Sequence, residues 1–332
     1  MEKALLSILI GFLISVILMP LIIMLIKKLK SEQQILEYVE NHKSKNGTLT
    51  LGGLIFIIAG SVAFFLLWSE NALLSKIALL VFIGFGILGF LDDFIKIRLK
   101  RNLGLKAYQK IIGQVGISVI IAIFVYQSGL IGSEVLIPFT NKSIDLGWFI
   151  IPLVILFFIS VTNSVNLADG LDGLAGGVSF VFLFGFIFII EIMKSSTTGI
   201  SEIILEEYSN LMALAGCVAG AVLGFLILNW HPAKIFMGDT GSLALGGLIA
   251  SLLCFTRQYL LIFIMGFVFV FTIFSSALQV ICYKLTKKRV FKIAPFHHNL
   301  ELHGMKETKI VYIYILTTFV LTLISVVLFL GV

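Results

Sequence analysis

The sequence predicts an all-α polytopic membrane protein with about ten transmembrane helices in one transmembrane domain over residues 1–332, and three observations carry this. Apolar residues make up 59% of the chain and charged residues only 13%, with a mean hydropathy of +1.10; soluble domains run at about 45–50% and 25%. The apolar residues gather into ten runs close to the length of about 20 residues that a helix needs to cross a bilayer. Lys and Arg number 24, and 19 of them fall in alternate connections between those runs. The composition excludes disordered, collagenous and disulfide-scaffold chains. Cys217, Cys254 and Cys282 are odd in number, lie in apolar runs and lack CxxC spacing, so they read as small core residues.

The run over 4–26 is too long for a signal-peptide core. Only Lys3 precedes it, while Lys27, Lys28 and Lys30 follow, so it is expected to be a retained span. Further runs cover 51–68, 72–91, 111–131, 148–164, 174–193, 211–229 and 241–257. The run 259–283 exceeds what a core of about 30 Å requires at about 1.5 Å per residue, so it should tilt or bend. A last run covers 310–331. Because Lys- and Arg-rich connections resist translocation, the odd-numbered connections are placed in the cytoplasm and both termini outside. The outer connections 132–147 and 194–210 carry no motif, and the second, net acidic, reads as a solvated loop.

The polar residues sort with that topology. Asp92, Asp93, Asn166, Asp169, Asp172, Asp239, His297 and His298 all fall at or beyond span ends on the predicted cytoplasmic side, and the span interiors hold no Asp, Glu, Lys or Arg, with Lys76, Glu191 and Arg257 close to the outer ends of their runs. Pumps and many transporters need ionisable groups near the bilayer midplane. A secondary transporter or lipid flippase is therefore disfavoured, and an interfacial enzyme favoured.

Asp92 and Asp93 close the third run in GFLDDFIK. Two carboxylates at the negative end of a helix dipole call for a compensating cation. They read either as a solvated helix end aided by Lys96 or as a site for a divalent metal and phosphate chemistry. In NSVNLADGLDGLAGG, Asn166, Asp169 and Asp172 recur at i, i+3 and i+6, which on a helix places them on one face, beside glycines that let the backbone turn. Asp239, in NWHPAKIFMGDTGS, reads as an N-cap of the eighth span or as a third acidic arm for Mg2+. The stretch 284–309 is a basic cytoplasmic loop, suited to anionic lipid; its adjacent His297 and His298 point apart on a helix, so one imidazole contacting a phosphate is expected rather than a zinc pair. HKSKNGTLTLGG reads either as an N-capped start of the second span or as free backbone N–H groups suited to an anion, with Lys45 as countercharge.

Together, HKSKNGTLTLGG, GFLDDFIK, LKRNLGLKAYQK, NSVNLADGLDGLAGG, NWHPAKIFMGDTGSLALGG and APFHHNLELHG resemble, in order and from residue 42 to residue 304, the motif series of the phospho-MurNAc-pentapeptide transferase family, within the polyprenyl-phosphate N-acetylhexosamine-1-phosphate transferase superfamily. The resemblance implies a Mg2+-dependent phosphoglycosyl transferase of the bacterial plasma membrane with ten transmembrane helices and its active site at the cytoplasmic face. Its substrates would be UDP-MurNAc-pentapeptide and undecaprenyl phosphate, its products UMP and lipid I of peptidoglycan synthesis. A UDP-GlcNAc type sugar-1-phosphate transferase is the alternative. No nucleic-acid partner is expected, and a homodimer stays open.

By that resemblance Asp92 and Asp93 are the catalytic acidic pair, Asp239 the metal ligand, and Asn166 and Asp169 polar groups near metal and phosphates. Asp172, Lys45, Asn229 and Phe236 belong to the nucleoside pocket, with Phe236 stacking on uracil. His297, with a catalytic role, and His298 match the first two positions of a triple histidine; Lys96 and Lys110 are phosphate-binding candidates. Leu49 stands where the family usually has proline, Asn299 replaces the third histidine, and Thr272 stands where a glutamate commonly precedes Gln279.

Overall fold

A computed structural model describes residues 1–29, 48–99, 104–140, 142–196 and 201–331. Among them nine helices are long and apolar enough to cross a membrane: α1 (Glu2–Lys28), α3 (Leu73–Leu99), α4 (Ala107–Gln127), α5 (Ile150–Ala168), α6 (Leu174–Ser196), α7 (Glu202–Asn229), α8 (Gly238–Phe255), α9 (Phe267–Thr286) and α11 (Glu307–Phe329). The expected second run forms the shorter apolar helix α2 (Gly53–Leu67), and α10 (Phe296–Leu302) lies within the basic stretch.

Helix α8 is the axis of the bundle. From Thr240 to Phe255 every residue is buried, chiefly under α3, α5 and α2. Its glycines and alanines permit this, because helices in lipid associate by close van der Waals packing of small residues. The tightest approach to α8 is at Gly89 of α3, where a Cβ would sit 2.1 Å from the Asp239 carbonyl oxygen. That contact sets the end of α3 against the start of α8. Residues such as Ile17, Leu66, Leu80 and Ile120 stay exposed on the outer surface, as expected where hydrocarbon is the solvent. Buried hydroxyls such as Ser118 and Thr162 bond back to their own helix, to the Gln114 and Phe158 carbonyls, which satisfies them where no water is at hand.

Several sequence expectations need correction. The run 259–283 is broken: a 3-10 turn over Tyr259–Phe263 precedes α9, which starts only at Phe267. The expected loop 132–147 holds a small antiparallel hairpin, β1 (Glu134–Leu136) and β2 (Ser143–Asp145). The acidic stretch 194–210 is not simply a solvated loop, since α7 begins within it at Glu202 and Glu207 is buried and accepts the N–H groups of Leu73 and Leu74 in the first turn of α3. That carboxylate satisfies orphan donors at the positive end of a helix.

Candidate active site

Successive spans alternate in direction, so the C-terminal ends of α3 and α5 and the N-terminal ends of α4 and α8 meet at one end of the bundle. Helix α3 continues two turns past the apolar run, to Leu99. Asp92 and Asp93 therefore lie within a helix rather than closing it, and both are buried.

Each carboxylate has a separate anchor. Asp92 Oδ1 accepts the Leu105 N–H at 2.7 Å, from the chain returning toward α4. Asp93 Oδ2 accepts both the N–H and the hydroxyl of Thr240, at 2.9 and 2.8 Å. Thr240 is in the first turn of α8, so Asp93 meets the positive end of that helix dipole. The compensation that the sequence calls for comes from there and from Lys96, whose Nζ lies 2.6 Å from Asp92, 3.4 Å from Asp93 and 3.0 Å from Asp239.

Asp239 is not the N-cap of α8 but sits one residue inside the helix, and its carboxylate turns outward. It receives Lys110 Nζ at 2.9 Å and the Asn166 amide at 2.7 Å. The same Asn166 amide nitrogen reaches the Ser242 hydroxyl, and Lys110 also reaches the Asn166 carbonyl oxygen at 3.2 Å. Three acids, two lysines and an amide thus share one centre. Oxygens of Asp92, Asp93 and Asp239 lie within 4.8 Å of one another. An all-oxygen set of this kind fits a hard divalent cation such as Mg2+, which favours carboxylates and retained waters. Lys96, Asp239 and Lys110 give the centre its outlet, with side chains 31%, 19% and 16% exposed.

The stripe of Asn166, Asp169 and Asp172 does not survive as one face. Helix α5 ends at Ala168 and the chain turns through Gly170 and Gly173 into α6. Asn166 and Asp169 face the acidic centre, and Asp169 accepts the Gly238 N–H. Burial, and then the charges of Asp239 and Asp93, push its carboxyl well above the usual carboxylate range. Asp172 faces the other way, bonded to His231 and to the Ala233 N–H.

The two histidines do not point apart. A Cβ built on Gly170 would lie 2.7 Å from His297 Nε2 and 2.8 Å from His298 Nε2, and the ring centroids are 4.4 Å apart. Only glycine leaves room for both rings over this turn. His297 is completely buried, with neither ring nitrogen hydrogen-bonded. Burial, and secondly His298, lower its pKa to about 3, so it is neutral. His298 pairs with Glu301 at 2.7 Å. Asn299, in place of a third histidine, accepts the Lys292 N–H and shapes the basic loop, which Gln279 holds to α9 through Val290 and Phe291.

Asn229 is committed to the backbone, accepting the Gly173 N–H and donating to the Ile235 carbonyl. It therefore joins the 170–173 turn to the 230–237 connection. Phe236 is half-buried, and its backbone N–H donates to the Leu49 carbonyl. The N–H groups of Gly52 and Gly53 donate to the carbonyls of Phe236 and Met237. The second-span start is therefore a strut for the 236–237 segment, which uses up the Gly52 and Gly53 N–H groups that the anion reading needs free. Lys45 lies outside the described residues.

The family described as Glycosyl transferase family 4 matches residues 75–257. Proteins named phospho-N-acetylmuramoyl-pentapeptide-transferase are similar over nearly the full length. The one from Clostridium novyi (strain NT) is 43% identical, covering 96% of this chain and 94% of its own. That from Halalkalibacterium halodurans is also 43% identical, over 92% and 91%, and that from Clostridioides difficile (strain 630) 41%, over 96% and 95%. The chain belongs to the phospho-N-acetylmuramoyl-pentapeptide-transferase family. It is thus a phosphoglycosyl transferase of the multi-pass membrane type.

For a member of the phospho-N-acetylmuramoyl-pentapeptide-transferase family, the residues that sequence reasoning overlooked are Thr240, Ser242, His231 and Glu307. Thr240 adjoins Asp239 and Ser242 lies three residues on, and a hydroxyl residue just ahead of an apolar run carries no signal beyond that of a helix cap. His231 and Glu307 carry no local signal, because they meet Asp172 from 59 and 135 residues away.

Proposed function

We propose that this chain transfers phospho-MurNAc-pentapeptide from UDP-MurNAc-pentapeptide to undecaprenyl phosphate, forming lipid I and releasing UMP, at the cytoplasmic face of the bacterial plasma membrane. The observation that carries the proposal is the convergence of Asp92, Asp93 and Asp239 with Lys96 and Lys110 at one end of an apolar bundle. A diphosphate donor and a lipid phosphate both bring negative charge to the membrane surface, and a centre that mixes carboxylates with ammonium groups is suited to it. The excess of Lys and Arg in the connections at this end supports the cytoplasmic assignment.

Asp239, with Asp92 and Asp93, would hold Mg2+, which when bound neutralises charge developing on the diphosphate. Lys96 and Lys110 bind phosphate oxygens, and Asn166 orients Asp239. Asp169 and the histidines His297 and His298 border the phosphates. Asp172, Asn229, Phe236 and Lys45 belong to the uridine end, with Phe236 against the base. Asp92 Oδ1 and Asp93 Oδ2 already accept hydrogen bonds from Leu105 and Thr240. We therefore favour direct attack by the lipid phosphate on the sugar-bearing phosphorus, with the acidic pair orienting it, over a phosphoryl-aspartate. Incubation with UDP-MurNAc-pentapeptide alone tests this: a stoichiometric burst of UMP without lipid acceptor contradicts direct attack. The UDP-GlcNAc alternative is tested by offering both donors to the same preparation, with UMP release expected only from UDP-MurNAc-pentapeptide.

A further inference from the structure

A second cluster lies on the side of the 169–173 turn away from the acidic centre. Asp172 Oδ2 accepts the Ala233 N–H at 3.0 Å and is 3.1 Å from His231 Nδ1. Glu307, in the first turn of α11, accepts the Asp172 backbone N–H at 2.7 Å, and its other oxygen is 3.5 Å from the same His231 nitrogen. Side chains of Asp172 and Glu307 are only 2% and 12% exposed. The turn is thus gripped from two directions, by the connection between α7 and α8 and by α11. Because Asp172 Oδ2 and Glu307 Oε1 are both engaged by backbone N–H groups, the cluster is a hydrogen-bonded clamp; such bonds, made largely out of water, are costly to leave unmade.

We propose that Glu307 and His231 are positioning residues that hold the 169–173 turn in register for the uridine diphosphate-sugar donor, without touching the reacting phosphates. This rests on the function proposed above. The acidic centre has its own anchors, Thr240 on Asp93, Asn166 on Asp239 and the Gly238 N–H on Asp169, so it does not need the clamp. Losing the clamp shifts Asp172 and the segment running on to Phe236, which belong to the donor's uridine end. The effect therefore falls on donor binding and leaves the chemical step and the lipid acceptor alone. Glu307 works as an acceptor for an N–H, a role that glutamine can fill and alanine cannot.

The test uses the full chain in detergent with Glu307→Ala, Glu307→Gln and His231→Ala, measuring kcat, KM for each substrate, and UMP binding by calorimetry. Glu307→Ala is expected to raise the donor KM and the UMP Kd about tenfold, with kcat and lipid KM within about twofold. Glu307→Gln should stay within about threefold of the starting protein, and His231→Ala should fall between. An unchanged donor KM in Glu307→Ala, an equal loss in kcat, or a glutamine variant as poor as alanine overturns the clamp. Should Glu307→Ala fail to fold, His231→Ala decides: wild-type donor KM and UMP Kd there also overturn it. If the unaltered chain binds UMP but does not turn over UDP-MurNAc-pentapeptide, the proposed function fails while UMP affinity still reads the clamp; if it does neither, both fail.

Discussion

Asp93 on α3 accepts the backbone N–H and the hydroxyl of Thr240 on α8 with a single carboxylate oxygen, at 2.9 and 2.8 Å. One acid of the candidate pair therefore also fastens the central helix of the bundle to its neighbour. Asp93→Asn should cost about 1–2 kcal/mol of stability, since a charge-assisted bond to a helix N-terminus is weakened. It should also lower activity by more than about 100-fold. Thr240→Val, which removes only the hydroxyl, should lower thermal stability less and keep measurable turnover. Melting curves and UMP release on the same preparations check both, and an Asp93→Asn protein with unchanged melting contradicts the fastening role.

Lys110 and Asn166 meet on Asp239, at 2.9 and 2.7 Å. Lys110→Met should reduce kcat/KM at least about 100-fold, because a phosphate-binding ammonium is lost, while the protein stays folded. Asn166→Ala should reduce it less, about tenfold, since it removes an orienting bond rather than a charge. Equal and small effects from the two would show that neither faces substrate.

The elevated pKa of Asp169 has a definite sign in stability. Its carboxyl holds a proton more tightly folded than unfolded, so the ionised group is a cost that appears as pH rises above the unfolded value of about 3.9 and is complete above the folded one. Asp169→Asn should therefore raise the melting temperature at pH 8 and lose that advantage toward pH 4. A variant equally shifted at both pH values would contradict the cause given.

His297 has the opposite sign, because its folded pKa is lowered, to about 3. Unfolded chain binds a proton below a pH of about 6.5 while the folded chain does not, so stability falls as pH drops from there toward the folded value. Between pH 7 and pH 5 the starting protein should lose about 2 kcal/mol more than His297→Phe. Denaturation at the two pH values checks the difference, and equal losses would mean that the imidazole is charged in the folded state.

The spans were readable because hydrocarbon demands long apolar runs, and every run from 4–26 to 310–331 has its helix. Run 259–283 exceeded one helix's need, and it breaks before Phe267. The acids were readable as residue types, not as partnerships. Periodicity put Asn166, Asp169 and Asp172 on one stripe by assuming a helix that in fact stops at Ala168. Likewise, His297 and His298 converge because Gly170 leaves space beneath both rings, a tertiary fact that spacing on one helix does not contain. Glu307 sat in plain view as a first-turn acid of the last span; only the fold brings it to Asp172.

The most direct measurement is UMP release by the purified chain from UDP-MurNAc-pentapeptide, with undecaprenyl phosphate and Mg2+ each present or omitted. Release is expected only when both are supplied, abolished by EDTA, restored by added Mg2+, and absent in a folded Asp239→Asn protein. Full release in EDTA, or undiminished turnover by Asp239→Asn, would contradict this expectation.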